Sequence, residues 1–305
     1  MIYTVTLNPA LDYDIYMDSF QETELNFSKE VNIRAGGKGI NVSKVLSNLG
    51  IESEALGFTA GFTGDFIKRD LEKQKIKTDF VELDGNTRIN VKINNSGKET
   101  EIAGLSPDII PEAKKLLLEK IKHLKDGDMI ILSGSIPKSL GKNIYKEISE
   151  MLDNKNVKIV LDTRGDLISE NMHGNFLIKP NIKELEEMFG EKLDTMEKII
   201  EKGRNFLKKG IENIIVSMGG KGAVFINKEE AYFAKAPEGQ LINSVGSGDS
   251  MVAGFIAGIE SGKTLGDSFR LAVAAGSATA YSYGLGEKEL IEKLYNEIKL
   301  KKEGV

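Results

Sequence analysis

The sequence predicts an α/β fold: a mostly parallel sheet covered on both faces by helices, with a small β-sheet lid attached. Three observations carry this. Short apolar runs, such as Ile214-Ile215-Val216, alternate with segments whose apolar residues recur at helical spacing. Polar or glycine-rich turns follow those runs. Two stretches, about 10–35 and 86–103, break the alternation and read as short polar strands able to pair with each other. The expectation is one domain over 1–305 carrying lid segments at those two places, without a linker or internal repeat.

Residues 2–7 are rich in strand formers and stop at Asn8-Pro9. A glycine-rich turn, Ala35-Gly36-Gly37-Lys38-Gly39-Ile40-Asn41, leads into a helix marked by Val42, Val45, Leu46 and Leu49 and ended by Gly50. Strand 53–57, helix 65–75 and strand 80–83 follow. Over 88–93, Arg88, Asn90 and Lys92 alternate with Ile89, Val91 and Ile93, predicting a half-buried strand with a basic face. Asn94-Asn95-Ser96-Gly97 reads as a hairpin turn. Beyond it come helix 111–124, strand 128–132, helix 143–152 and strands 157–161 and 176–178. Helices 182–189 and 195–208, strand 213–216 and a strand pair at 223–226 and 231–234 complete the sheet. Three helical segments close the chain, the last rich in Lys and Glu.

Composition narrows the chemistry. Charged residues make up 29% of the chain and the net charge is −5, so there is no general nucleic-acid footprint. There is no Cys, which removes thiolate nucleophiles, disulfides and Cys-bound zinc, and the two His make a histidine metal cluster implausible. Catalysis therefore falls to carboxylates, Lys, Arg, hydroxyls and backbone. No leader-like N-terminus or membrane-length apolar run occurs, so a cytoplasmic protein is expected.

In open α/β sheets, ligands bind at the carboxyl ends of the strands. The polar turns fall there: Ser133-Gly134-Ser135, Asp162, Lys179-Pro180-Asn181, Ser217 to Gly222 and Gly246 to Asp249. The last is the most telling. Gly246-Ser247-Gly248 can crowd backbone N–H groups round an anion at a helix start, and Asp249 beside it can take a proton from a hydroxyl. Taken alone, the same four residues are also an ordinary loop and helix cap. Asn181 and Glu184 have capping-box spacing, or could organise Mg²⁺ through water. Arg88, Asn90 and Lys92, with Lys38, are either a solvated face or a phosphate site, and Asp12 could bind sugar hydroxyls. Gly258 to Thr264 imitates a phosphate loop, but its glycines are one residue too close and it follows a helix; a helix end at Gly262 explains it better.

Together these stretches resemble the PfkB, or ribokinase-like, carbohydrate kinases along essentially the whole chain. The resemblance is carried by Ala35-Gly36-Gly37-Lys38-Gly39-Ile40-Asn41-Val42 and by Asn243-Ser244-Val245-Gly246-Ser247-Gly248-Asp249. Leu7-Asn8-Pro9-Ala10-Leu11-Asp12 and Thr87-Arg88-Ile89-Asn90-Val91-Lys92 narrow it to the hexose-phosphate branch. It implies a ribokinase-like three-layer α/β/α sandwich and ATP-dependent phosphorylation of a ketohexose phosphate. Fructose 1-phosphate is the first expectation; tagatose 6-phosphate and fructose 6-phosphate come next, and a non-catalytic sugar-phosphate sensor last.

The resemblance also implies roles. Asp249 would be the general base, with Gly246, Ser247 and Gly248 forming the anion hole. Lys179, Asn181, Ser217, Met218, Gly219, Gly220, Lys221 and Gly222 would bind ATP, and Asn181 with Glu184 would organise Mg²⁺. Asp12, Gly36, Gly37, Lys38, Asn41, Arg88, Asn90 and Ser135 would bind the sugar phosphate. A homodimer through the lid is implied, with no nucleic-acid or membrane partner. Two positions depart from the commonest family pattern: Asn243 where Asp often opens the last signature, and Arg164 where small hydroxyl residues are frequent.

Overall fold

A computed structural model describes residues 1–95 and 98–304. The chain opens with β1 (Ile2–Thr6), β2 (Ala10–Met17), β3 (Glu30–Gly36), α1 (Lys38–Asn48), β4 (Ser53–Ala60) and α2 (Gly61–Lys73). It continues through β5 (Lys77–Thr78), β6 (Val81–Leu83), β7 (Ile89–Asn95), β8 (Lys98–Ile102), α3 (Pro111–Lys122) and β9 (Met129–Ser133). Then come α4 (Ile144–Met151), β10 (Lys158–Asp162), α5 (Gly165–Asn171), β11 (Leu177–Ile178), α6 (Ile182–Phe189) and α7 (Met196–Leu207). The last elements are β12 (Asn213–Ser217), β13 (Ala223–Ile226), β14 (Ala231–Ala234), α8 (Ser247–Glu260), α9 (Leu265–Ala280), α10 (Lys288–Glu297) and β15 (Leu300–Lys302).

Among the described residues, the main sheet runs β15-β14-β13-β12-β11-β10-β9-β1-β4-β5, with β6 also paired to β4. It is parallel from β12 to β5 and antiparallel at the β13-β14-β15 edge. The period-2 pleat explains why its strands read as continuous apolar runs: both faces are buried. Ile130 and Leu132 pack on one side with Leu117, Ile121, Ile148, Leu185 and Phe206 from the central helices. Met129 and Ile131 pack on the other with Val42, Leu46, Val252, Phe255 and Phe269 from α1, α8 and α9.

Helix α8 is apolar all round because it lies between the sheet and α9. Its glycines set the spacing. A Cβ at Gly254 would fall 2.6 Å from the Leu271 carbonyl oxygen, and one at Gly258 would fall 2.6 Å from Ser268 Oγ. Gly262, at φ +70°, closes α8, and Thr264 caps α9 through the Asp267 N–H. The stretch that imitates a phosphate loop is thus a turn between two helices.

The two polar stretches form a second sheet in the order β3-β2-β7-β8. Its polar face is the buried one, not a solvated face. Asp12, Asp14, Asn90 and Lys92 are buried against the body, whereas Val31, Ile33, Ile89 and Ile102 are 37–56% exposed on the outside. The expected hairpin turn at 94–97 lies partly outside the described residues. Three short elements were not expected: α5, β5 and β15. The last ends the Lys- and Glu-rich tail as an edge strand on β14 instead of continuing the helix.

Candidate active site

The carboxyl ends of the parallel strands converge. Thr6 on β1, Ser133 on β9 and Asp162 on β10 stand level in register. Lys179 follows β11, and the backbone at Asn181 bridges to Ser217 at the end of β12. Above these ends lies a cleft of about 1220 Å³, with the lid sheet along one side. That volume exceeds the few hundred Å³ usual for one small ligand and suits two.

Nearly every candidate residue lines this cleft. Asp12, Gly37, Lys38, Asn41, Arg88, Asn90 and Ser135 lie toward the lid end. Lys179, Asn181, Glu184, Ser217, Met218, Gly219, Gly220 and Gly222 lie along the opposite wall, with Gly246, Ser247, Gly248 and Asp249 on α8. Two candidates do not line it. Lys221 is exposed and is not part of the cleft lining. Gly36 acts from behind: a Cβ there would fall 2.5 Å from Asp12 Oδ2, so the glycine makes room for that carboxylate.

Asp249 sits in the first turn of α8 and is only 5% exposed. Asn41 Nδ2 donates to its Oδ2 at 2.7 Å, tying the two glycine-rich turns together. Burial pushes its carboxyl up to about 6, against the downward pull of Lys38. Gly246 supplies the turn, at φ +81°. Ser247 N–H already donates to the Ser244 carbonyl, and the helix ladder starts with Ser250 N–H on Gly246. Among the described residues, the N–H groups of Gly248 and Asp249 have no backbone acceptor at the positive end of the helix dipole. A side chain at 248 would meet Lys179 Nζ at 3.0 Å, so glycine lets this cation stand close to the turn.

Asp162, outside the candidate set, is the hub beneath the cations. Its Oδ1 accepts from Lys38 Nζ at 3.2 Å and from Lys179 Nζ at 3.3 Å. Burial raises its carboxyl, but the two lysines outweigh this and hold it below the usual carboxylate range. On the lid, Asp12 Oδ1 accepts from Asn90 Nδ2 at 3.0 Å, and its Oδ2 pairs with Arg34 Nη1 at 3.0 Å. Arg34 also reaches Asp14 through Nε, and so locks β2 to β3. Arg88 donates to the carbonyls of Asn8 and Pro9. Burial lowers its pKa, while the Asp12 carboxylate favours its charge. Asn8 in turn donates to Ser135 Oγ.

Sequence reasoning placed Asp162 among the strand-end turns but gave it no role, missed Arg34 as a site-builder, and left Arg164 without a role. Buried hydroxyls of Thr6, Ser133 and Ser247 line the cleft without hydrogen-bond partners among the described residues, as expected where a ligand's polar groups belong. Ala236, Pro237, Leu241, Val273 and Tyr281 add an apolar stretch to the lining on the side of the 217–222 turn.

Asn181 and Glu184 form a reciprocal capping box on α6: Asn181 Oδ1 accepts from Glu184 N–H at 2.9 Å, and Glu184 Oε2 accepts from Asn181 N–H at 2.8 Å. Among the described residues no cluster of three acidic or histidine side chains could cage a metal. One cleft carboxylate does fit Mg²⁺, which keeps several waters and takes its other ligands from phosphate oxygens.

Known proteins agree with this architecture. A 1-phosphofructokinase of Bacillus subtilis is 46% identical over 301 residues, covering 98% of this chain and 99% of that protein. A D-tagatose-1-phosphate kinase of Bacillus licheniformis is 35% identical over 302 residues, covering 98% and 99%. The crystal structure of phosphofructokinase-2 from Escherichia coli in complex with fructose-6-phosphate superposes with a TM-score of 0.91, at 23% identity and 97% and 98% coverage, and so shares the fold. Residues 5–292 match the profile of the pfkB family carbohydrate kinases, and with these relatives over nearly its whole length the chain belongs to that family.

Proposed function

We propose that the protein is an ATP-dependent kinase of a ketohexose phosphate, converting fructose 1-phosphate to fructose 1,6-bisphosphate, and that the whole chain acts as one kinase domain with segments 10–35 and 86–103 as its lid. The observation that carries this reading is the buried Asp249, held by Asn41 next to two free N–H groups and to Lys179. A base, an anion site and a cation are thereby gathered around the first turn of α8.

In this reading the sugar phosphate occupies the lid end, where Asp12 and Asn90 meet hydroxyls and Lys38, Arg88 and Ser135 meet the phosphate. ATP occupies the opposite end, its phosphates along Lys179, Asn181 and the 217–222 turn. Asp249 accepts the proton of the free primary hydroxyl as that oxygen forms its bond to the γ-phosphorus. The bond to the β-phosphate oxygen breaks and ADP leaves. The N–H groups of Gly248 and Asp249 and the Lys179 ammonium stabilise the charge on the transferring group. Mg²⁺, organised by Asn181 and Glu184 through water, would neutralise phosphate charge when bound. A carboxyl titrating near 6 is well matched to base work at neutral pH, typically worth about 10²–10⁴ in rate.

The names of both relatives support a phosphate at carbon 1. A tagatose 1-phosphate activity is therefore the second reading, with fructose 6-phosphate and tagatose 6-phosphate behind it. ADP release over these four substrates tests the choice. Fructose 1-phosphate should give the highest kcat/KM, and no turnover of any of them would overturn the kinase reading.

We further propose a homodimer that buries the outer face of the lid. Its exposed Val31, Ile33, Ile89 and Ile102 support this, because a sheet face with no layer over it needs one.

A further inference from the structure

Arg164 stands where β10 ends, one residue beyond Thr163, and lines the cleft together with Arg88. Its turn is firmly held. Thr163 Oγ1 donates to the Gly134 carbonyl at 2.9 Å, and Gly134 N–H donates to the Asp162 carbonyl at 3.0 Å. The backbone on both sides is buried, yet the Arg164 side chain is exposed to the cleft. Among the described residues it makes no hydrogen bond or ion pair.

Arg88 is the opposite case. Its Nε and Nη2 are spent on the Pro9 and Asn8 carbonyls, which fixes the guanidinium on the lid side. The charges that bear on it are Asp12 and Glu101 from the lid, and the like charge of Arg164 from the body. Two guanidiniums line the same cleft, one anchored and one free, and repel each other across it. A dianion between them removes that cost and gains charge-assisted, forked hydrogen bonds from both. The location fits the acceptor and not the nucleotide: Arg164 adjoins the Gly134-Ser135 turn and Lys38's partner Asp162, whereas the 217–222 turn and the apolar stretch lie at the other end.

We infer that Arg164 is a specificity-determining residue that, with Arg88, clamps the phosphate of the phosphosugar and makes the enzyme prefer a phosphorylated ketohexose over the free sugar. This rests on the kinase reading above and assigns the phosphate-selecting side chain on the body wall. The clamp joins lid to body only when a phosphate is present, so the same contact would favour lid closure over the correct substrate.

The test compares the wild type with Arg164→Ser, Arg164→Ala and Arg164→Lys, using the full chain. For Ser and Ala, KM for fructose 1-phosphate should rise about 10–100-fold, the range expected for losing charge-assisted hydrogen bonds. KM for ATP should move less than about twofold, and kcat should change far less than KM. The ratio of kcat/KM for fructose 1-phosphate over fructose should fall by the same 10–100-fold. Lys, which keeps the charge but not the fork, should recover part of it. Calorimetric titration with fructose 1-phosphate in the absence of ATP should show the same loss of affinity. An unchanged KM for fructose 1-phosphate, or an equal loss against free fructose, would overturn the assignment, as would a rise confined to KM for ATP. If the wild type releases no ADP with any ketohexose phosphate, the kinase reading itself has failed; a working wild type with unaltered variants fails Arg164 alone.

Discussion

Asp249 is under two opposed demands. As the proposed base it would have to be ionised at neutral pH, yet it is buried, which disfavours the charge. Its carboxyl titrates near 6 in the folded chain and near 4 when unfolded, so between those values the folded state binds more protons. Stability attributable to this group therefore falls as pH rises from about 4 to about 6, and above that the full cost of the buried charge is felt. Activity should run the other way, with kcat/KM for the sugar phosphate expected to rise along an acid limb centred near pH 6. Asp249→Asn keeps an oxygen for Asn41 to donate to and removes the charge. It should lower kcat by about 10²–10⁴ while leaving ATP binding in place. It should also raise stability by about 1–2 kcal/mol, a few degrees in Tm. Near-normal turnover would remove Asp249 as the base, and an unchanged Tm would show that its burial costs little.

At the scale of elements, what was legible in the sequence is what local pattern determines. The apolar strands, the helices with clear periodicity and the turns at strand ends all follow from short-range rules. Helix α5 did not, because only Gly165, Ile168 and Asn171 of its seven residues are buried and no apolar period is visible. Strand β15 did not, because Leu300-Lys301-Lys302 is strand only by virtue of pairing with β14. The lid is a third case, one that the sequence left open. The alternation over Arg88 to Ile93 was plain, but which face points inward depends on what the sheet covers, and here it covers a polar cleft. Asp162 was visible as a strand-end carboxylate, yet its hold on both Lys38 and Lys179 joins residues far apart in the chain. Gly36 makes the dependence of the lid on close approach testable. Gly36→Ala places a methyl 2.5 Å from Asp12 Oδ2, and Asp12 is already held by Arg34 and Asn90. The expected result is a destabilisation of about 1–3 kcal/mol from overpacking, and a higher KM for the sugar phosphate with KM for ATP unmoved. If KM for the sugar phosphate is unaffected, Asp12 is not a sugar ligand.

At the scale of the whole molecule, the lid differs from the main sheet, among the described residues, in having a single covered face. The main sheet is sealed by helices on both sides, whereas the lid packs its polar side toward the cleft and leaves an apolar side open. The register makes this outer side one surface: Tyr13 lies beside Ile33 and Val91, Ile15 beside Val31, and Val91 beside Ile102. A second copy presents the same surface, and a two-fold pairing would cover both at once. Such a contact would also couple function to assembly, since the inner face of the same strands carries Asp12 and Asn90. Charges placed at the centre of the outer face should separate the two effects. Ile33→Glu with Ile89→Lys leaves the cleft side untouched. By sedimentation equilibrium the wild type should have twice the chain mass and the variant the mass of a single chain. In the single chain, KM for the sugar phosphate should rise more than KM for ATP, because only the lid end of the cleft loses support. A wild type that sediments as one chain at micromolar concentration would dispose of the dimer, and a monomeric variant with wild-type KM values would confine the outer face to assembly alone.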